Sequence, residues 1–432
     1  MTMMKSSNTE WLGNIPAEWD VAQIGNYYEL RNEKVSDYDF EPLSVTMKGI
    51  VPQLATAAKS DDHSNRKLVK KGDFVINSRS DRRGSCGISP LDGSVSLINT
   101  VMEPRGEMNP QYYNWLFHTE QFADEFYKWG HGIVDDLWTT RWQEMKKILI
   151  VAPSPDEQQA IADYLDETCS KIDEIIAEAK ISIDEYKELK QSILFETMTQ
   201  GIQSDRKYKT CDYEWLGKVP EDWSLMKITH ILDDNDSYPI GDGDHGLIKT
   251  DSYKSEGIPY IRVQNIGWGT PLLMDNVVYI SKEDNERIKG SQLKPGDVLF
   301  VKTGATIGKT AIVPNNIPIS NTTSHVGKIT VSKEHNSKYI FYLLSSFIGY
   351  KQFWDIACMK ATRPELSISE IKQMKVLIPS TRDEEDEIVE YLDNKLPEYE
   401  TLICIKESLI NDLEVYKKSL IYEVVTGKRR VV

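Results

Sequence analysis

The chain has few cysteines and no long apolar run. Its 432 residues include five cysteines, which are widely scattered and never form a Cys-x-x-Cys pair. This argues against a disulfide framework or a cysteine-rich zinc site and is typical of a reducing compartment. No segment approaches the roughly 18 consecutive apolar residues of a membrane-spanning helix, and the first residues lack the apolar stretch of a signal peptide. We therefore expect a cytoplasmic protein of two or three domains.

The sequence also lacks a catalytic motif that fits its surroundings. Its seven histidines show no metal-ligand spacing, and no Gly-x-Ser-x-Gly nucleophile turn is present. Residues 241–246 have the glycine spacing of a dinucleotide site without the flanking strand and helix, and residues 304–310 are one residue too short for a phosphate loop. Residues 109–112 resemble a base-methyltransferase motif, but their later copy at 336–339 keeps only a helix cap and a tyrosine. We predict no catalytic residue, no metal ligand and no cofactor bound by this chain.

The charge is acidic overall but unevenly distributed. A net charge of −16 argues at first against a nucleic-acid partner. However, residues 153–200 hold 12 acidic and 4 basic side chains, and residues 379–432 hold 13 and 8. The two longer segments, 1–152 and 201–378, are close to neutral, with net charges of −4 and +1. Two DNA-binding faces are therefore compatible with the acidic total.

An internal repeat dominates the sequence. Residues 10–19 (EWLGNIPAEW) return at 214–223 (EWLGKVPEDW), and residues 161–166 (IADYLD) return at 388–393 (IVEYLD). Between such landmarks the two copies diverge strongly. The pattern predicts one scaffold that is used twice and presents two different surfaces.

Each copy ends in a predicted long helix. Apolar and aromatic residues recur there at alternating spacings of four and three, which is the pattern of a coiled-coil seam. An ordinary amphipathic core helix is the alternative. Gly201 and Gly427 mark the two helix ends, and Pro397 is expected to break or kink the second helix. The predicted seam, through which the two helices pair, consists of Ile161, Leu165, Ile172, Ile175, Tyr186, Leu189 and Ile193, and of Ile388, Leu392, Tyr399, Leu402, Leu409, Leu413, Tyr416 and Leu420.

The segments before the helices are predicted to be mixed α/β. Residues 71–76 and 294–301 each read as a turn followed by a strand. Asn109 and Pro110 are an N-cap and a first-turn proline, before a helix expected over residues 112–122.

A set of short strings resembles the specificity subunits of type I restriction–modification systems over nearly the whole chain. They are residues 11–13 (WLG) with Pro16 and Trp19, 156–161 (DEQQAI), 257–266 (GIPYIRVQNI), 294–299 (KPGDVL) and 304–308 (GATIG). Two departures are present. Residues 383–388 (DEEDEI) replace the usual Glu-Gln pair, and the first copy has no clear counterpart of residues 257–266.

The resemblance implies an α/β (α+β) tandem repeat, in which two mixed α/β target-recognition domains are separated by two long antiparallel coiled-coil helices. It implies a non-catalytic, sequence-specific DNA-binding subunit whose domains each read one half of an asymmetric bipartite target. The expected segments are residues 1–152 for the first domain, 153–201 for the first spacer helix, 202–378 for the second domain and 379–432 for the second spacer helix.

The resemblance also implies partners. These are double-stranded DNA, two copies of a methylation subunit docked on the helices and, through them, restriction or motor subunits, with no membrane. S-adenosylmethionine, ATP and Mg²⁺ are expected in the partner subunits and not in this chain.

Candidate DNA-reading residues come from polar and basic loop clusters. Arginine can contact guanine in a bidentate manner, asparagine and glutamine can contact adenine, and the other residues can contact phosphate. A solvated basic turn is the alternative for the first-domain cluster, and a turn-stabilising amide is the alternative for Gln264 and Asn265. In the first domain the candidates are Asn77, Arg79, Ser80, Arg82 and Arg83, with Trp138 and Arg141 as a second patch. In the second domain they are His245, Arg262, Gln264, Asn265, Lys302, Thr303, Thr306, Lys309 and Arg363.

Two other functions compete with DNA recognition. One is a helical scaffold or assembly protein without a DNA role, which the unlike copies of the large domain disfavour. The other is a self-contained methyltransferase, which requires binding of S-adenosylmethionine by the isolated chain.

Overall fold

The computed structural model describes residues 3–56, 63–79, 82–132, 138–243, 246–358 and 364–431, except the side chain of residue 358. The chain divides into two compact units, Met1–Lys180 with Lys406–Val432, and Ile181–Ile405. The division falls inside the two long helices, so each unit combines one mixed α/β region with a part of both helices.

The first unit is built on small antiparallel sheets. Strands pair in the orders β10-β9-β12-β4, β11-β8-β5, β6-β7, β1-β2 and β13-β3. Its helices are α1 (Ile24–Tyr27), α2 (Pro110–Phe117), α3 (Glu120–Lys128), α4 (Trp142–Met145) and part of α5 (Pro155–Gln200). Its strands are β1 (Met4–Ser6), β2 (Asn14–Pro16), β3 (Asp20–Gln23), β4 (Tyr28–Leu30), β5 (Lys34–Val35), β6 (Leu43–Thr46), β7 (Gly49–Pro52), β8 (Arg66–Val69), β9 (Phe74–Asn77), β10 (Cys86–Ile88), β11 (Gly93–Val95), β12 (Asn99–Pro104) and β13 (Leu149–Ala152).

Capping side chains decide where α2 and α3 begin and end. The Asn109 Oδ1 atom accepts hydrogen bonds from the backbone N–H groups of Gln111 (2.8 Å) and Tyr112 (3.1 Å), as the sequence predicts. The single helix expected over residues 112–122 is wrong, because α2 ends at Phe117. The Thr119 hydroxyl then accepts from the Phe122 N–H (3.2 Å) and starts a second helix.

The second unit contains larger mixed sheets. A five-stranded sheet has the order β17-β25-β22-β23-β19 and a four-stranded sheet the order β20-β18-β24-β21, and two strand pairs, β18-β24 and β19-β23, are parallel. Its helices are α6 (Lys282–Arg287), α7 (Ser337–Ser345), α8 (Phe347–Cys358), α9 (Ile368–Gln373) and part of α10 (Arg382–Val425). Its strands are β14 (Tyr208–Thr210), β15 (Lys218–Pro220), β16 (Ser224–Lys227), β17 (Ile240–Asp242), β18 (Ile258–Ile261), β19 (Trp268–Pro271), β20 (Val278–Ile280), β21 (Gln292–Leu293), β22 (Val298–Val301), β23 (Thr310–Ile312), β24 (Ser320–Thr322), β25 (Val326–Ile329) and β26 (Lys375–Ile378).

The two long helices pair in an antiparallel manner within each unit. Helix α5 has 46 residues and α10 has 44. In the first unit the Lys417 ammonium lies 2.6 Å from the Asp173 carboxylate, and in the second unit Lys190 lies 2.5 Å from Glu400. A later residue of α5 thus pairs with an earlier residue of α10, so the predicted antiparallel pairing is confirmed. Helix α10 also continues through Pro397, so of the break or kink predicted at this residue the break is wrong.

At every second position of the predicted seam, the residue that faces the partner helix is the next one along the chain. In α5 the buried residues of the pairing face are Leu165, Cys169, Ile172, Ile176, Ala179 and Ile183. The predicted members Ile175 and Leu189 are instead 45% exposed, and in α10 Leu402, Leu409 and Tyr416 are also exposed. The other predicted members are buried or half-buried: Ile161, Leu165, Ile172, Tyr186, Ile193, Ile388, Leu392, Tyr399, Leu413 and Leu420.

In the part of the chain that the structure describes, no helix is both long enough and apolar enough to cross a lipid bilayer.

Candidate nucleic-acid interface

The same turn follows a buried central strand in both units. In the first unit Arg79, just after β9, forms an isolated antiparallel bridge with Thr139, and in the second unit Thr303, just after β22, forms one with Glu365. In the first unit the Thr140 N–H donates to the Ser78 carbonyl oxygen (3.0 Å). In the second unit the Leu366 N–H donates to the Lys302 carbonyl oxygen (2.9 Å). Both units therefore hold a strand-end turn against a distant loop in the same way.

In the first unit the structure brings the two predicted patches together. The Trp138 indole N–H donates to the Tyr127 carbonyl oxygen (2.9 Å), and the two rings lie 5.7 Å apart. The Arg83 guanidinium lies 5.7 Å from the centre of the same tyrosine ring and forms an ion pair with Asp124. Arg141, at the N-cap of α4, is exposed. The basic turn and the Trp138 patch are thus one surface.

Arg79 and Arg82 are cations of this surface, as is Arg141. The side chains of Arg79 and Arg82 are exposed, and neither forms an ion pair with another described residue, in contrast to Arg83. Asn77 is buried, and its Oδ1 atom accepts from the Arg79 N–H (3.0 Å), so its side-chain carbonyl shapes the turn. Ser80 lies outside the described residues.

In the second unit the predicted cation at the turn is already neutralised. The Lys302 side chain is buried, with its ammonium 2.7 Å from the Asp242 carboxylate and 3.3 Å from that of Glu365. A lysine held between two carboxylates cannot also serve as an open phosphate contact, so its role here is to position the turn. Thr303 is buried beside it, whereas Thr306 and Lys309 are half-buried in the glycine-rich loop that follows.

The three candidates after β18 differ in their surroundings. Asn265 is fully buried, and its side chain accepts from the Arg262 N–H (3.0 Å) and donates to the carbonyl oxygens of Leu273 (3.0 Å) and Asp275 (3.1 Å). Its amide is therefore committed to holding the loop, which is the turn-stabilising alternative, and is not presented to a base as the candidate role requires.

The neighbours of Asn265 are more accessible. Gln264 is exposed and makes a 3.3 Å hydrogen bond to the Asn276 carbonyl oxygen. Arg262 is half-buried, donates to the same carbonyl oxygen (3.0 Å) and lies 5.8 Å from the centre of the Tyr253 ring. His245 and Arg363 lie outside the described residues.

One cleft in the first unit is lined by an arginine, Arg66, that is not among the predicted candidates. It has a volume of about 430 Å³ and lies between the β6–β7 hairpin and the turn after β9. Arg66 lines it together with Arg79 and Arg82. The hairpin was detectable in the sequence as two short alternating segments around residues 47–48, but the approach of Arg66 to this turn depends on long-range strand pairing. Among the described residues, no cluster of histidine, cysteine or carboxylate side chains could hold a metal ion.

Comparisons with known proteins agree with this architecture. Residues 220–414 match the type I restriction modification DNA specificity domain. A protein of Methanocaldococcus jannaschii, named as the type I restriction enzyme MjaX specificity subunit, is 20% identical over 97% of this chain and 96% of its own length.

Two solved structures share the fold. A chain from a structure titled for complex assembly and conformational transition of the type I R-M system has a TM-score of 0.72 at 14% identity, covering 96% of this chain and 99% of its own. The crystal structure of the HsdS subunit from Thermoanaerobacter tengcongensis has a TM-score of 0.54 at 15% identity, covering 96% and 98%. Residues 220–414 thus match a type I restriction modification DNA specificity domain, and nearly the whole chain shares the fold of these two structures.

Proposed function

We propose that this chain recognises an asymmetric, bipartite DNA sequence, with each unit reading one half-site. The observation that supports this most strongly is the repeated strand-end turn. The turns after β9 and β22 are held in the same way in both units, yet they present different side chains. A shared frame with unlike contact residues is what two readers of unlike half-sites require.

The two turns offer different chemistry to DNA. In the first unit Arg79 and Arg82 are exposed and can contact guanine or phosphate. In the second unit Lys302 is neutralised, which leaves Gln264 and Lys309 among the described candidates for base-edge and backbone contacts. The two half-sites should therefore differ in the base types that they require.

We also propose that the long helices dock methylation subunits. The outward faces of the helices carry exposed large apolar side chains, which favour a protein partner over permanent contact with water. These are Ile175, Leu409, Val415 and Tyr416 in the first unit and Ile181, Leu189, Leu402 and Ile405 in the second. Because both units carry such side chains, we propose two methylation subunits, with restriction or motor subunits joining through them. In this proposal S-adenosylmethionine, ATP and Mg²⁺ are bound by those partners.

A domain exchange tests the reading of half-sites. Residues 1–152 are replaced by the first domain of another specificity subunit, and the methylation pattern is sequenced in cells that carry the chimera and the methylation partner. We expect one half of the methylated sequence to change and the other half to be retained. A change in both halves would contradict the assignment of one half-site to each unit.

The same system separates this proposal from a scaffold without a DNA role. The complex of this chain with its methylation partner is tested for binding to the methylated duplex and to a random duplex of equal length. We expect a clear preference for the methylated sequence, whereas a pure scaffold predicts equal binding to both.

A further inference from the structure

The cleft of the first unit is lined by three arginines and, among the described residues, by no carboxylate. Arg79 and Arg82 come from the turn after β9, and Arg66 comes from the start of β8. Polar groups from Ser44 and Gln53 line the opposite wall, along the β6–β7 hairpin. In a chain with a net charge of −16, three positive charges around one cavity favour an anionic ligand.

Arg66 is the unusual member of this group, because it is a buried cation whose hydrogen-bond partners among the described residues are neutral. Its side chain belongs to a residue that is only 7% exposed, and its guanidinium donates to the Ser94 hydroxyl (2.8 Å) and carbonyl oxygen (3.0 Å), both of which are neutral. It forms no ion pair with a described residue. Burial lowers the pKa of the Arg66 guanidinium, and the charge of Asp37 opposes this effect only from beyond ion-pair distance.

Another arginine of the same unit shows how a structural charge is compensated. The Arg31 guanidinium lies 2.6 Å from the Asp73 carboxylate and 2.7 Å from that of Glu103. A buried charge without such partners is costly for folding. The different treatment of Arg66 and Arg31 indicates that the charge of Arg66 is kept for a ligand.

We propose that this cleft binds a phosphodiester group of the DNA, with Arg66, Arg79 and Arg82 as its ligands. Guanidinium groups match phosphate geometry in a bidentate manner. The volume of about 430 Å³ lies in the range of small-ligand sites, ~300–1,000 Å³, so it accommodates a nucleotide unit rather than a lone ion. Gln53, on the facing wall, then contacts the neighbouring base edge. This inference rests on the proposed function and adds Arg66, Gln53 and a phosphate-binding cavity to it.

The test compares Arg66→Met with the matched control Arg31→Met, each in the full chain assembled with its methylation partner. Binding to the target duplex is measured over a salt series, and thermal unfolding is followed in parallel. For Arg66→Met we expect about tenfold weaker binding and a salt dependence reduced by about one phosphate contact, with the unfolding midpoint retained or raised. For Arg31→Met we expect a lower midpoint and an unchanged salt dependence.

A second variant keeps the test decisive if Arg66→Met fails to fold. Gln53→Glu preserves side-chain shape and places a carboxylate in the arginine cleft, so it should weaken binding to the duplex at least as much without loss of folding. Unchanged affinity and salt dependence in both Arg66→Met and Gln53→Glu would overturn the inference. The proposed function would still stand if the unmodified complex preferred its target over random duplex.

Free anions distinguish DNA from another source of phosphate. Sulfate and thymidine monophosphate are added separately to the unmodified complex and to Arg66→Met during thermal unfolding. Stabilisation of the unmodified complex alone, together with an unchanged duplex affinity of the variant, would mean that the cleft serves a free anion, and the DNA assignment would be wrong. Stabilisation accompanied by the expected loss of duplex affinity supports it.

Discussion

At the scale of single residues, burial and hydrogen-bond partners decide what a residue type can do. Gln264 and Asn265 are adjacent amides, and both are reasonable adenine readers by type. The structure separates them, because Asn265 is fully buried with its amide bonded to three backbone groups, whereas Gln264 is exposed. Sequence reasoning could identify the segment but not the member of the pair that faces outward, since that depends on the return of the chain at residues 273–276.

This difference gives a prediction for two neighbouring substitutions. Asn265→Ala leaves buried backbone groups without their partners, so we expect a loss of about 2–4 kcal/mol in the free energy of unfolding and no change in the recognised sequence. Gln264→Ala should change stability by less than ~0.5 kcal/mol but relax the preference at one position of the second half-site. Urea unfolding and methylation sequencing measure the two effects. If Asn265→Ala kept full stability and altered the sequence preference, its assignment as a structural residue would be wrong.

At the scale of elements, the helices could be predicted from local spacing, but the register of their seam could not. The alternation of four and three in α5 also falls on two polar residues, Thr168 and Ser182. These were the signal of the error, because the residues after them, Cys169 and Ile183, are apolar and buried. Ile175 and Ile176 are both isoleucines, so a period of four and three fits either one. Only the facing helix decides between them.

The register makes a matched pair of substitutions informative. Ile176 is 8% exposed and Ile175 is 45% exposed. We expect Ile176→Ala to lower the free energy of unfolding by ~2–4 kcal/mol through the lost core contacts and the cavity. Ile175→Ala should leave stability within ~0.5 kcal/mol while reducing co-purification of the methylation partner. Equal destabilisation by both variants would contradict the observed seam.

The strand-end turns after β9 and β22 show the same limit of sequence reasoning. Strands ending near Asn77 and Val301, each followed by a polar turn, could be predicted because the strand pattern and the turn residues are local. The bridges from Arg79 to Thr139 and from Thr303 to Glu365 could not, since they join residues about 60 positions apart. For this reason the turn and the Trp138 patch were expected as two surfaces, although they form one.

At the scale of the whole molecule, each long helix contributes to both units. In each unit one tryptophan contacts the start of one helix and the end of the other. The Trp19 indole N–H donates to Glu157 at the start of α5 (3.1 Å), and Trp223 donates to Glu384 at the start of α10 (3.1 Å). The end of the partner helix packs on the same tryptophan, since a side chain at Gly427 would meet Trp19 and one at Gly201 would meet Trp223. The unit boundaries at 180/181 and 405/406 lie inside the paired helices, away from these junctions.

The last prediction uses these boundaries to lengthen the helices without disturbing either unit. One heptad is inserted after Lys180 and another after Ile405, so that the ion pairs Asp173–Lys417 and Lys190–Glu400 both keep their register. Seven helical residues add ~10 Å at 1.5 Å per residue. If the helices set the spacing of the half-sites, we expect a methylated target with both half-sites unchanged and a spacer longer by up to about three base pairs.

Single insertions are the control for this prediction. When a heptad is added to α5 alone, the two ion pairs between the helices cannot both keep their register. This variant should therefore have lower stability and less methylation, with no new spacer length in the DNA target. Methylation sequencing of the double-insertion variant decides the question. Since both junction tryptophans and both reading turns are untouched by the insertions, an unchanged spacer in a folded, active complex would show that the target spacing is set by the reading units themselves and not by the length of α5 and α10.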